Sequence, residues 1–120
     1  MTTLRQRHGT LAENAALTYL GDLGWRVLAR NVRLGRDEID IVAIDPGTPL
    51  ELVCVEVRSA VSAAFGAPEE RVDRTKVGHL YRAASAFAGA RGLSWRVDLV
   101  IVDRRSGESV VRHLRRLEPA

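Results

Sequence analysis

The sequence predicts a single α/β domain in which two helices pack against one mixed β-sheet. Three observations carry this prediction: two segments with helical spacing of apolar residues, five segments rich in β-branched residues, and short turns between them. The chain of 120 residues is long enough to bury one hydrophobic core, and neither a repeat nor a linker divides it. We therefore expect residues 1–120 to form one domain with the element order αβββαββ.

Two helices are predicted from apolar residues that recur every three or four positions. The first is expected over Thr10–Leu23, where Gly24 follows in the position that favours a left-handed residue. The second is expected to begin after the capping residue Asp73 and to run to about Arg91, with Gly92 ending it. The expected apolar stripes are Ala12, Ala16, Leu20 and Leu23 in the first helix, and Val77, Leu80, Ala84 and Phe87 in the second.

Five strands are predicted, and the turns between them indicate their pairing. Asp45–Pro49 is rich in turn-forming residues, so the strands before and after it should form a hairpin. Ala60–Arg71 is expected to be a surface loop and Arg104–Gly107 a turn. A meander followed by a crossover helix predicts a mixed sheet. The expected strands are Trp25–Arg33, Asp37–Ile44, Leu50–Ser59, Trp95–Asp103 and Ser109–Leu117.

Composition and charge narrow the classes of function. The net charge of +3 and the pI of about 9.7 permit nucleic-acid binding without requiring it. Lys76 is the only lysine among eighteen basic residues; the arginines suit phosphate contacts, although GC-rich coding also explains them. Apolar runs such as Leu99–Val102 are far shorter than the ~20 residues of a membrane span, and no signal peptide is apparent, so we expect a cytoplasmic protein. Cys54, the only cysteine, is expected to be a small buried hydrophobic residue.

The charged residues of the predicted hairpin are the most informative. Strand alternation puts Glu38 and Asp40 on one face of the second strand, and Glu56 and Arg58 on one face of the third. If the hairpin turns about Thr48, Asp40 lies opposite Glu56 and Glu38 lies opposite Arg58; a slip of two residues would change these pairs. Facing carboxylates repel each other at ~5 Å, so they require a shared proton, a cationic side chain or a bound cation.

Two interpretations of this pairing remain open. Asp40 and Glu56 could bind a hard divalent cation, Mg²⁺ or Mn²⁺, which takes carboxylate oxygens and can polarise a phosphate. Alternatively, they lie on the wet face of an ordinary sheet and Arg58 neutralises them. Glu13, beside the apolar stripe of the first helix, is either a third acid of the site or a surface residue.

Other polar residues are expected to have structural or surface roles. The three histidines lack the spacing of metal ligands, and one Arg–Asp pair shares a strand face, which is typical of a structural ion pair. Three arginines near the C-terminus could contact phosphate but are more typical of solvated surface charge. These residues are His8, His79 and His113; Arg96 and Asp98; and Arg112, Arg115 and Arg116.

The order of these residues resembles the YraN family, small and mostly uncharacterised bacterial proteins that are assigned by fold to the PD-(D/E)XK nucleases. The resemblance covers about Arg7–Val111 and depends most on Glu38–Val42 followed by Val55–Arg58. It implies a restriction endonuclease-like core, the fold that Holliday-junction resolvases and many restriction enzymes share. Further matching positions are Gly9, Glu13, Ala16, Arg30, Asn31, Phe65, Gly66, Lys76 and Arg96–Asp98.

The resemblance also implies a role for each candidate residue. Asp40 and Glu56 would bind Mg²⁺ or Mn²⁺, with Glu13 as the helix acid of resolvase-like members. The family's lysine falls on Arg58, which keeps its proton because its pKa lies above ~12, yet can still orient water or stabilise charge. Lys76 either replaces that lysine or binds phosphate.

Three functions are therefore compatible with the sequence. The first is a metal-dependent endonuclease acting on DNA, including branched or flapped DNA. The second is a nucleic-acid-binding protein with a degenerate site, which Arg58 motivates. The third is a scaffold protein with purely structural carboxylates, and it fits least because facing carboxylates contribute poorly to stability. Resolvase-type chemistry would favour a homodimer, although the sequence shows no self-association surface.

Overall fold

A computed structural model gives the fold of the chain. It describes residues 4–60, 74–105 and 107–118, and the side chains of residues 10–60, 74–103 and 107–118. The element order is αβββαββ, as predicted. The elements are α1 (Leu4–Asp22), β1 (Arg26–Leu34), β2 (Asp37–Asp45), β3 (Glu51–Ala60), α2 (Arg74–Gly89), β4 (Ser94–Arg105) and β5 (Glu108–Leu114).

The five strands form one mixed sheet in the spatial order β1-β2-β3-β4-β5. Three neighbouring pairs are antiparallel, and β3 and β4 are parallel. A parallel pair requires a crossover connection, and α2 lies in the segment that joins these two strands. The structure thus confirms the predicted mixed sheet and is compatible with a restriction endonuclease-like core.

Each helix covers one face of the sheet. The two core clusters have different strand residues because alternate side chains of a strand point to opposite faces. Around α1 the buried residues include Ala12, Ala16, Leu20, Ile41, Val53, Val55, Val100 and Val102. Around α2 they include Leu80, Ala84, Ala88, Val42, Cys54 and Val97.

Both helices end at the glycines that the sequence predicts. Gly24 has a φ of 83°. The amide of Gly24 donates a hydrogen bond to the carbonyl of Gly21, and the amide of Trp25 donates one to the carbonyl of Leu20 at 3.0 Å. This is the Schellman arrangement, and Gly92 (φ 65°) ends α2 with the same pair of hydrogen bonds. Leu23 lies beyond the end of α1 and is 41% exposed, so its predicted place in the apolar stripe is wrong.

Several predicted boundaries differ from the structure. The first helix begins at Leu4 because the residues before Thr10 include good helix formers. Arg104 and Arg105 continue β4 and pair with β5, so the predicted turn is shorter. The last strand ends at Leu114 because the following segment folds back, where the amide of Leu117 bonds to β4.

Two other predictions can be placed as follows. The predicted loop, apart from Ala60 at the end of β3, and the predicted cap Asp73 lie outside the described residues. Cys54 is fully buried, and desolvation raises the pKa of its thiol to about 12, so it is the hydrophobic core residue expected. Within the described segments, the helices lack the length and apolar character needed to cross a membrane.

Candidate functional site

The β2–β3 hairpin has the predicted register. Asp45 pairs with Glu51 next to the turn, and the pairing continues to Ile41 and Val55. The centre of the turn is therefore at Thr48. The next residue on each strand is one of the two candidate acids, Asp40 or Glu56. Apolar alternation predicts which face these side chains share, and the assumed turn about Thr48, which the structure confirms, brings them to the same place along the hairpin.

The backbone ladder of the hairpin ends at the candidate acids. Oδ2 of Asp40 accepts a 2.8 Å hydrogen bond from the amide of Val57. Glu38 pairs with β1 and Arg58 pairs with β4, so the predicted pairing of these two residues across the hairpin is not part of the ladder. A carboxylate thus occupies the point at which β2 and β3 stop exchanging backbone hydrogen bonds.

Glu56 is the most buried of the candidate acids. It is 6% exposed, and among the described residues its Oε2 has no hydrogen-bond partner. Burial, and then the charge of Asp40, raises the pKa of Glu56 to about 7. A buried carboxylate oxygen without a donor is costly, which is consistent with a site that accommodates a cation.

Two cationic side chains flank Glu56 at ion-pair distances. Nζ of Lys76 lies 3.7 Å from Oε2, and Nε of Arg58 lies 3.6 Å from Oε1. Both distances exceed that of a good hydrogen bond. Lys76 is the third residue of α2, and its Nζ donates a 2.5 Å hydrogen bond to the carbonyl of Glu38. The helix thus brings the only lysine of the chain to the candidate acids.

Asp40 and Glu13 complete the acidic group. Burial raises the pKa of Asp40, although the Val57 amide and Lys76 oppose this effect. Burial and the charge of Asp40 also raise the pKa of Glu13, whose Oε1 has no hydrogen-bond partner among the described residues. Because Asp40 raises the pKa of both other acids, the structure brings Glu13, Asp40 and Glu56 into one electrostatic neighbourhood.

Asn31 is a contributor whose role the sequence did not predict. On β1 it lies between the residues that pair with Ile41 and Ile39, which places it beside Asp40. Its φ is 50°, a left-handed conformation that is uncommon outside glycine, and its side chain hydrogen-bonds to Glu13. Asparagine tolerates this conformation better than most residues, but the signal in the sequence is weak.

The predicted side-chain direction of Ile39 on β2, beside Asn31, is wrong. Regular strand alternation places Ile39 on the same face of the sheet as Ile41, whereas Ile39 is buried on the other face, in the cluster that contains Val42 and Leu80. The change occurs at Asp40, where the ladder to β3 ends and the neighbouring strand has its left-handed residue. Local departure from a regular pleat explains why strict alternation fails here.

The acidic group is open rather than a closed metal cage. Within the described segments, no group of three or more His, Cys, Asp or Glu residues is positioned to hold a metal ion. Mg²⁺, however, is commonly held by one or two carboxylates together with waters and substrate phosphate. Asp40 and Glu56 fit that requirement, because Oε2 of Glu56 has no hydrogen-bond partner among the described residues. Oε1 of Glu13 also lacks one there, but Glu13 does not complete a group of three ligands with them.

A second group of buried charges has the opposite character. The guanidinium of Arg96 contacts Asp98 at 2.9 Å, Glu51 at 2.9 Å and Asp45 at 2.8 Å. Burial would raise the pKa of Asp98, but hydrogen bonds from His113 and Arg96 hold it below its ordinary value. This fully partnered network confirms the prediction of a structural Arg96–Asp98 ion pair.

The remaining predicted polar residues have partners or lie elsewhere. His79 contacts Asp37 at 2.5 Å, and His113 belongs to the Arg96 network, so both have partners in the described fold. Arg116 contacts Glu51 at 2.8 Å, although its own side chain is largely exposed. The side chain of His8 lies outside the described residues. The other two C-terminal arginines are exposed; Arg115 lies 3.8 Å from Asp45, and Arg112 also has an interaction partner.

Comparison with known proteins identifies one family. The model of the uncharacterised protein family UPF0102 matches residues 12–102. The chain is 42% identical to a UPF0102 protein of Moorella thermoacetica, with 93% of this chain and 98% of the relative covered. It is 40% identical to one from an Arthrobacter species, over 89% of this chain and 92% of the relative. It is 36% identical to one from Bacteroides thetaiotaomicron, over 89% and 88%.

Proposed function

The chain belongs to the uncharacterised protein family UPF0102, also called YraN, and from that premise we propose that it is a divalent-metal-dependent endonuclease that hydrolyses DNA phosphodiesters. The names of its relatives state no activity, so the support comes from the site of this chain. The observation that carries the proposal is the buried Oε2 of Glu56, which lies beside Asp40, faces Lys76 and has no hydrogen-bond partner in the part of the chain that the structure describes.

In this proposal the carboxylates hold Mg²⁺ or Mn²⁺. Asp40 and Glu56 would be its ligands, and Glu13 would assist. A bound divalent ion would polarise a phosphoryl oxygen and lower the pKa of a coordinated water. Glu56 exchanges its proton near neutral pH because its pKa is raised to about 7, so it can become a ligand without extreme conditions.

In this proposal Arg58 and Lys76 would hold the scissile phosphate. Nε of Arg58 has no hydrogen-bond partner among the described residues, and the guanidinium offers five donors in all. Lys76 adds a second positive charge from α2. Arg58 remains protonated at neutral pH, so it would orient water or stabilise developing charge rather than exchange a proton. Lys76 is the residue better suited to replace the lysine of the usual motif.

One alternative is supported by a specific residue. Arginine at position 58 in place of the motif lysine also fits a nucleic-acid-binding protein whose nuclease site is degenerate. Such a protein would bind DNA through phosphate contacts, and its affinity would fall steeply as salt rises because counterions are released on binding. It would cleave no DNA with any divalent ion.

The proposed function also implies a partner, a cofactor, a location and an oligomeric state. DNA would be the partner and Mg²⁺ or Mn²⁺ the cofactor, with action in the cytoplasm. Coordinated cutting of two strands would favour a homodimer. Sedimentation equilibrium with and without branched DNA would measure the oligomeric state of the protein. A monomer under both conditions would argue against coordinated cutting of two strands.

A cleavage assay tests the proposal. Supercoiled plasmid and branched DNA would be incubated with Mg²⁺ or Mn²⁺ and native protein, Asp40→Asn or Asp22→Asn. Asp22 is an exposed carboxylate at the end of α1 and serves as the matched control. We expect nicking by the native and control proteins and none by Asp40→Asn. Cleavage that survives Asp40→Asn would refute the site, whereas DNA binding without cleavage by native protein would favour the degenerate-site alternative.

A further inference from the structure

A cavity lies beside the candidate site and shares Lys76 with it. Its volume is about 220 Å³, and it is bounded by the end of β1, the start of β2 and the side of α2 that borders the sheet. Leu34, Ile39, Ala83 and Ala86 supply apolar walls. The cavity is therefore a concave, mainly apolar surface on a protein whose proposed substrate is highly polar.

The cavity also contains a few placed polar groups. Nδ1 of His79 and Oδ1 of Asp37 are 2.5 Å apart, and both side chains are about one-third exposed. Arg82, which is exposed on α2, adds a cationic group to the lining. Apolar walls with a small number of hydrogen-bonding groups are typical of a site for a small organic group.

Lys76 joins this cavity to the candidate acids. It lines the cavity, donates to the carbonyl of Glu38, and lies 3.7 Å from Oε2 of Glu56. Glu38 also lines the cavity. A phosphate held by Lys76 would therefore lie at the boundary between the acidic group and the apolar cavity. The chemical group attached to such a phosphate in DNA is a nucleoside.

We propose that the cavity binds one unpaired nucleoside next to the phosphate held at Lys76. The inference rests on the proposed function and specifies its substrate class: DNA with an unpaired nucleotide, such as a branch point or flap, rather than continuous duplex. A base within a duplex is stacked, whereas an unstacked base can enter a pocket and expose its hydrogen-bonding edge. Leu34 and Ala86, the exposed apolar residues of the lining, would contact the base face, and the Asp37–His79 pair would bond to its edge.

An abasic substitution separates recognition of the base from recognition of phosphate. Two labelled branched DNAs would be compared by fluorescence anisotropy without divalent metal, identical except that one unpaired nucleotide lacks its base. Phosphate contacts are the same in both DNAs. We expect native protein to bind the abasic DNA about fivefold or more weakly, as for the loss of one base contact with a protein surface.

Two matched variants locate the effect. Ala86→Trp fills the cavity from its exposed rim, whereas Ser85→Trp adds the same side chain at the neighbouring exposed position of α2, outside the cavity lining. We expect Ala86→Trp to bind the two DNAs equally and Ser85→Trp to keep the preference. Loss of the preference in Ser85→Trp as well would place the effect outside the cavity and overturn the inference.

The native protein alone decides the inference if a variant fails to fold. Equal binding of the intact and abasic DNAs would overturn the nucleoside site, and metal-dependent cleavage of either DNA would then leave the proposed function intact. No binding to either DNA, together with no cleavage, would overturn the proposed function as well. The two failures are therefore distinguishable.

Discussion

Glu56 and Asp98 are buried carboxylates on the paired parallel strands β3 and β4, one step apart in register, and their environments are opposite. Asp98 accepts hydrogen bonds from Arg96, His113 and a backbone amide, and its pKa is lowered. Glu56 has an oxygen without a hydrogen-bond partner among the described residues, and burial raises its pKa to about 7. In the same sheet, Asp98 therefore stabilises the folded state, whereas the ionised form of Glu56 destabilises it.

Replacing Glu56 should stabilise the protein at neutral pH. Its folded pKa of about 7 lies above the ordinary value of 4.5, so the folded state binds a proton that the unfolded state has lost between these values. The free energy of unfolding therefore falls as pH rises from 4.5 to about 7, by roughly 3 kcal/mol. Glu56→Gln should remove this dependence. Urea unfolding at pH 5 and pH 8 measures it, and a variant less stable than native protein at pH 8 would contradict the prediction.

Replacing Asp98 should have the opposite effect. Asp98→Asn removes the buried anion that Arg96 and His113 share, although Arg96 keeps its contacts with Glu51 and Asp45, and loss of one partner of a buried ion pair costs about 3–5 kcal/mol. The exposed Asp22→Asn control should change stability by less than about 0.5 kcal/mol. Urea unfolding at pH 7 compares the three proteins. Native-like stability of Asp98→Asn would show that the network is not structural.

Asn31→Gly should separate stability from metal binding. Glycine adopts a φ of 50° without steric cost, so the backbone can be kept while the hydrogen bond to Glu13 is lost. We expect stability within about 1 kcal/mol of native and weaker Mn²⁺ binding by calorimetry. Asn31→Ala, in contrast, should also lose about 1–2 kcal/mol because alanine is strained there. Native Mn²⁺ affinity in Asn31→Gly would remove Asn31 from the site.

Lys76→Met should reduce cleavage about 100-fold or more if its ammonium stabilises charge at the phosphate. The salt dependence of DNA binding should also become shallower by about one in log–log slope, because one phosphate contact is lost. Arg91→Met, which removes an exposed cation near the end of α2, is the control.

Arg58→Lys should retain cleavage because it restores the lysine of the usual motif. Full activity of Lys76→Met would leave Arg58 as the phosphate-binding cation.

The fold was predictable where the spacing of apolar residues defines the helices and strands and where glycines mark the helix ends. The faces of the hairpin residues follow because any odd shift would expose the apolar face of β2 or β3, whereas the turn about Thr48 selects the observed register among the even shifts. The helix ends follow because Gly24 and Gly92 adopt left-handed φ values at small cost. The C-terminal segment could not be predicted, since its backbone turns at Arg116 (φ 57°) to reach Asp98, a contact between distant parts of the chain.

The candidate site was predictable only in part. Alternation brings Asp40 and Glu56 together, whereas the position of Lys76 depends on how α2 packs against the sheet. The left-handed conformation of Asn31 depends on the end of the regular ladder beside Asp40, which local propensity does not encode. The cavity likewise requires the end of β1 and the side of α2 that borders the sheet to approach each other.

Direct measurement of metal binding tests the central claim, that Asp40 and Glu56 hold a divalent ion. Mn²⁺ would be titrated by calorimetry at pH 8 into native protein, Asp40→Asn and the control Asp22→Asn, after urea unfolding has shown that all three are folded. The predicted result is binding of one ion by the native and control proteins and its loss in Asp40→Asn. Equal Mn²⁺ binding by all three proteins would contradict the claim.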